Sequence, residues 1–114
     1  MAVRQTRRAR AQRRRARRVA AAGNDLTAEE WDAIHRAWGA CAYCGETEGQ
    51  LQRDCVLPIT RGGRYTVTNV VPACRSCNAS KGNNEVTAWL RRSRRDERAF
   101  LERWVQVVAE LQSA

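Results

Sequence analysis

The chain has 114 residues, enough for one small domain, with five cysteines, one histidine and a formal net charge of +9. A domain this small buries a modest share of its surface, so a metal staple suits it, and an odd cysteine count argues against a fully paired disulfide framework. There is no apolar run of the ~18 residues a membrane span needs, and no apolar segment follows the basic N-terminus as in a secretory signal, so a reducing, cytoplasmic setting without membrane contact is expected.

The charge sits at one end. Residues 1–18 hold nine arginines and no acid, whereas in residues 19–114 twelve basic side chains balance twelve acidic ones. A cationic arm beside a neutral body suits a phosphate backbone, where binding releases counterions. The plainer alternative is a solubilising tail or an intracellular address signal. The arm, taken as 1–23, contains helix formers but almost no bulky apolar residue. It is expected to be disordered alone and able to turn helical against phosphates. Residues 24–114 form the expected domain.

A helix is predicted from "LTAEEWDAIHRAWG". Thr27 as N-cap with Glu30 three residues on makes a capping box, and Leu26 with Trp31 makes a hydrophobic staple. Trp31, Ile34 and Trp38 recur at helical spacing and read as core, with Gly39 ending the helix. His35 lies beside that stripe and reads as an exposed helical side chain outside any site. The centre predicts short strands in "LQRDCVL" and "YTVTNVV", joined by the turn "ITRGGR", with Pro58 at a strand end because it cannot donate to a ladder. Beyond Cys77 the chain reads as helical. Asn83 or Asn84 is a candidate cap for "EVTAWLRRS", and a longer amphipathic helix runs from about Arg95 to Leu111 with Phe100, Trp104, Val107, Val108 and Leu111 on one stripe.

Cys41-x-x-Cys44 and Cys74-x-x-Cys77 carry the first chemistry. Two residues between thiolates fit a tight turn that aims both sulfurs at one ion, and four such ligands close a tetrahedral zinc shell with no position left for substrate. A pair of redox motifs and a rubredoxin-type iron site are the competing readings. Between and beside the knuckles lie residues of another kind. Asp54 and Asn78 offer hard oxygen donors of the sort Mg2+ or Mn2+ prefers, and Asn69 is placed to bridge loop backbone groups. Arg61, Arg64, Arg75 and Lys81 flank them as candidate phosphate contacts. Singly, each has an ordinary alternative as a turn, cap or solvated residue.

The run "CAYCG…LQRDCVLPITRGGRYTVTNVVPACRSCNASKG" resembles the HNH endonuclease family in its zinc-knuckle branch. The similarity covers residues 38–84 and leaves 85–114 as a helical extension. It implies an α+β, ββα-metal fold, with Cys41, Cys44, Cys74 and Cys77 as structural zinc ligands. It also implies that Asp54 and Asn78 hold a catalytic Mg2+ or Mn2+ and that Asn69 organises the hairpin loop. The implied activity is hydrolysis of a phosphodiester in nucleic acid, double-stranded DNA foremost, by a monomer or weak homodimer that nicks one strand at a time.

One position departs from the pattern. Where the family carries its general-base histidine, this chain has Cys55. A thiol, with an ordinary pKa of about 8.5, is a poorer base at neutral pH than an imidazole near 6.5. The alternative to an enzyme is therefore a catalytically inactive zinc-knuckle module that binds nucleic acid. A purely structural or protein-interaction knuckle explains neither the arm nor the oxygen donors.

Overall fold

A computed structural model of the chain describes residues 26–113 together with Arg7, Arg8, Arg10 and Ala11. Those four are helical and exposed, and the rest of the expected arm lies outside the described residues. The elements run in the order α1 (Ala28–Trp38), β1 (Gln52–Cys55), a 3-10 turn (Ile59–Arg61), β2 (Val70–Ala73), α2 (Arg75–Lys81), α3 (Val86–Arg92) and α4 (Glu97–Ser113). The class is α+β, with helices around a two-stranded antiparallel sheet. Among the described residues no helix is long and apolar enough to cross a membrane.

Helix α1 starts as its sequence dictates. The Glu30 amide donates to Thr27 Oγ1 at 3.0 Å, and the Thr27 amide donates to Glu30 Oε1 at 2.9 Å. Gly39, at φ 70°, ends the helix in the left-handed region. Ile34 faces fully inward, while Trp31 and Trp38 pack at the edges of the core. Across the sheet Asp54 pairs with Val71 and Cys55 with Val70. All of β2 is buried, and the Ala42 amide donates to the carbonyl of Pro72 at 2.8 Å, tying the first cysteine knuckle to the strand.

The second strand is shorter than expected. Residues 65–69 form turns because their polar groups have other partners: the Trp104 indole N–H donates to the Thr68 carbonyl at 3.0 Å, and the Asn69 amide backbone closes onto Thr66. The turn between the strands fits glycine alone at position 63, where a Cβ would overlap the Leu57 carbonyl.

The helical half also differs in its ends. Helix α3 is capped by Glu85, not by Asn83 or Asn84: the Glu85 carboxylate accepts from the amides of Ala88 and Thr87 at 2.8 and 3.0 Å. Those amides hold the Glu85 carboxyl below its usual range. Asn84 instead donates to the Lys81 carbonyl at the end of α2. Arg94, at φ 57°, occupies a left-handed position where glycine is usual, and the Arg95 amide reaches back to the Leu90 carbonyl at 2.8 Å. That turn delays α4 to Glu97, with the Asp96 carboxylate accepting from the Ala99 amide.

Aromatic rings fill the space between α1, α3, α4 and the first knuckle. Phe100 lies between Trp38 and Trp104, stacked at centroid distances of 6.0 and 5.8 Å. Tyr43 meets Trp89 edge-on at 5.1 Å. The tryptophans of α1 are thus packing residues, as expected.

Candidate metal centre and cleft

The two knuckles converge. The sulfurs of Cys41, Cys44, Cys74 and Cys77 all lie within 4.8 Å of one another, and those of Cys44 and Cys74 are 3.7 Å apart. A tetrahedron of thiolates at the usual zinc–sulfur length of about 2.3 Å has edges of about 3.8 Å, so the residues present fit such an ion. None of the cysteines forms a disulfide, and one cluster built from both motifs argues against two separate redox pairs. Cys74 is also the N-cap of α2, its sulfur accepting from the Cys77 amide at 3.4 Å. Burial pushes the Cys77 thiol far above its ordinary value, and a hydrogen bond from Arg95 opposes that shift.

A separate cleft of ≈ 560 Å³ lies between β1, the 3-10 turn and α2, with Gln52, Asp54, Cys55, Arg75 and Asn78 in its lining. The residues arrive there by simple geometry. Gln52 and Asp54 are two apart on β1, and Asn78 stands one turn into α2 behind Cys74 and Cys77. The metal centre at the start of α2 therefore fixes the wall that carries Asn78.

Asp54 is 8 % exposed and is held from behind. Its Oδ2 accepts from the Tyr43 hydroxyl at 2.5 Å and lies 3.2 Å from Lys81 Nζ. Burial, then the charge of Asp54, keep Tyr43 in its neutral, donating form. Lys81 was expected at the phosphate. Instead it is fully buried, and its ammonium donates to the Cys55 carbonyl at 2.8 Å. A buried carboxylate and a backbone oxygen are the partners that make such burial tolerable. Lys81 thus braces Asp54 and the end of β1 from inside the protein and is not among the residues that line the cleft.

Asn78 donates through Nδ2 to Gln52 Oε1 at 2.8 Å, which leaves its carbonyl as the end suited to a cation. Asn69 accepts from the Leu57 amide at 2.8 Å and donates to the carbonyls of Leu57 and Arg64 at 3.0 and 2.9 Å, bracing the hairpin loop. Arg61 is exposed, and its Nε donates to the Asn83 carbonyl at 2.9 Å, joining the 3-10 turn to the segment after α2. Arg64 lies on another groove, formed with Trp104 and Val105 of α4. His35 is exposed, edge-on to Trp31 at 5.7 Å, and is not among the cleft residues.

Cys55 is 7 % exposed, packs with Ile34 and Val70, and also borders the cleft. Tyr43, Gln52 and Arg95 were not singled out from the sequence. Gln52 had a signal, the two-residue spacing from Asp54 along a strand. Tyr43 and Arg95 act through contacts distant in sequence and had none.

Residues 41–93 match the family model described as HNH endonuclease. Among curated proteins, the CRISPR-associated endonuclease Cas9 of Corynebacterium diphtheriae is 33 % identical over 72 residues, a stretch covering 59 % of this chain and 7 % of that protein. The chain thus spans a small part of that relative's length. No solved structure gives a significant match. Both cysteine knuckles, Asp54 and Asn78 lie inside the matched segment, so the residues that build the metal centre and the cleft are those in which the chain is similar to the HNH endonuclease family.

Proposed function

We propose that residues 24–114 act as a metal-dependent endonuclease that hydrolyses phosphodiester bonds of nucleic acid, double-stranded DNA foremost, one strand at each encounter. The observation that carries this reading is that the Asp54 carboxylate and the Asn78 amide line one cleft within the family match. A Mg2+ or Mn2+ bound there supplies charge neutralisation on the phosphate and the departing oxygen. Asp54 and Asn78 are the residues to hold it, and zinc is the ion proposed for the four cysteines.

The chain's own groups divide the remaining work. Tyr43 and Lys81 both engage Oδ2 of Asp54, which leaves Oδ1 as the oxygen to meet a cation. Arg75 lines the same cleft, and Arg61 is exposed next to Thr60, which also lines it; both are suited to a phosphate oxygen. Asn69 holds the hairpin loop in shape. Cys55 occupies the base position and, as a half-core thiol, is a weak proton acceptor. A second reading, a nucleic-acid-binding module without hydrolysis, is favoured by the burial of Cys55 against Ile34 and Val70.

Relaxation of supercoiled plasmid separates the two. The enzyme reading predicts slow nicking with Mg2+ or Mn2+ that chelator and Asp54→Asn both abolish. No nicking by the parent in either metal, together with salt-sensitive DNA binding, would establish the module instead.

A further inference from the structure

Arg95 is not among the cleft residues, yet its partly buried side chain is held by several contacts. Its Nη2 donates to Cys77 Sγ at 3.4 Å. Its guanidinium lies over the Trp89 ring, 4.7 Å from the centroid, and Trp89 is itself buried, with its indole N–H donated to Ser80 Oγ at 3.0 Å. Arg95 Nε is buried with no hydrogen-bond partner among the described residues. The left-handed residue Arg94 and the bond from the Arg95 amide to the Leu90 carbonyl aim the side chain back toward α2.

We infer that Arg95 is a charge-compensating positioning residue for the four-cysteine metal centre. Four thiolates around one divalent ion leave two excess negative charges, in a place where Cys41 and Cys77 are shut away from water. A fixed guanidinium beside Cys77 removes part of that excess and draws electron density from the sulfur through a charge-assisted hydrogen bond. The same negative centre offsets the cost of burying an N–H with no acceptor, which otherwise has no justification at that position. A flat guanidinium also fits the gap between the indole and the sulfur, where the compact ammonium of lysine would not stack. The inference does not depend on the chain being a nuclease.

The test uses the full chain loaded with zinc and, in parallel, with Co2+. Arg95→Met keeps an unbranched apolar stem over Trp89 without charge, and Arg95→Gln keeps an N–H donor without charge. Competition with a chromogenic chelator is expected to show zinc affinity reduced about 10–100-fold in both, the usual effect of losing a group that supports metal ligands. The sulfur-to-cobalt charge-transfer band is expected to move to lower energy, with Arg95→Lys lying between parent and variants. Parental zinc affinity with an unmoved band in either folded variant would overturn the inference, even if the variant melts at a lower temperature, since packing on Trp89 alone would produce that drop. If Arg95→Met does not fold, Arg95→Gln decides by the same two readings.

Discussion

Replacing Cys55 with histidine is expected to raise the rate of metal-dependent plasmid nicking by about 10²–10⁴-fold, the usual contribution of a general base. The backbone at this position is already fixed. Cys55 pairs with Val70 across the sheet, and its carbonyl is held by the Lys81 ammonium at 2.8 Å. The side chain leaves β1 between the Ile34–Val70 packing and the cleft that holds Asp54 and Asn78. An imidazole there brings a pKa near working pH, which a thiol lacks. It is also larger than a thiol, so overpacking against Ile34 and Val70 is expected to cost about 1–3 kcal/mol of stability. The expected result is therefore a protein that melts earlier and cuts faster, with Cys55→Ser showing no gain in rate. Initial rates at saturating Mn2+, measured beside thermal melts, check both halves. A folded Cys55→His protein with unchanged rate would mean that the cleft lacks the geometry for hydrolysis.

Removing the metal from the four cysteines is expected to unfold the described domain. Structural zinc sites of this type contribute on the order of 10–16 kcal/mol at neutral pH, as much as the whole stability of a typical small domain, roughly 5–15 kcal/mol. The centre joins the knuckle after α1 to the first turn of α2, and Tyr43, between Cys41 and Cys44, stands at the middle of the aromatic packing with Trp89 and Phe100. Loss of the ion leaves four crowded thiols, of which burial makes Cys77 especially reluctant to ionise. Chelator titration followed by circular dichroism and tryptophan fluorescence should show loss of the cooperative unfolding transition together with loss of bound metal, both restored by zinc. A metal-free protein that melts like the loaded one would remove the centre from the account of the fold.

The sequence carried some of this plainly. The capping box at Thr27 and Glu30 and the twin C-x-x-C spacing are local chemistry, written in neighbouring residues, and both take the expected form. What escaped sequence reasoning depends on partners far along the chain. The alternation in residues 65–69 looks like a strand, but the Thr68 carbonyl belongs to Trp104 and the Asn69 side chain to Leu57 and Arg64. Lys81 in the last turn of a helix looks like a phosphate contact until Asp54 and the Cys55 carbonyl are seen closing over it. Glu85 is a poor cap by residue preference, yet its carboxylate takes two of the orphan amides of the first turn. The bond from Arg95 to Cys77 spans two helices and a turn that no pattern of spacing reveals.

That Asp54 and Asn78 serve one hard cation is tested most directly by Mn2+ binding to the zinc-loaded protein, followed by electron paramagnetic resonance. The account predicts one Mn2+ per chain, with affinity reduced by at least the ~10–100-fold typical of losing even a supporting group in Asp54→Asn and again in Asn78→Ala. Mn2+ bound equally well by the parent and both folded variants, or by none of them, would contradict it.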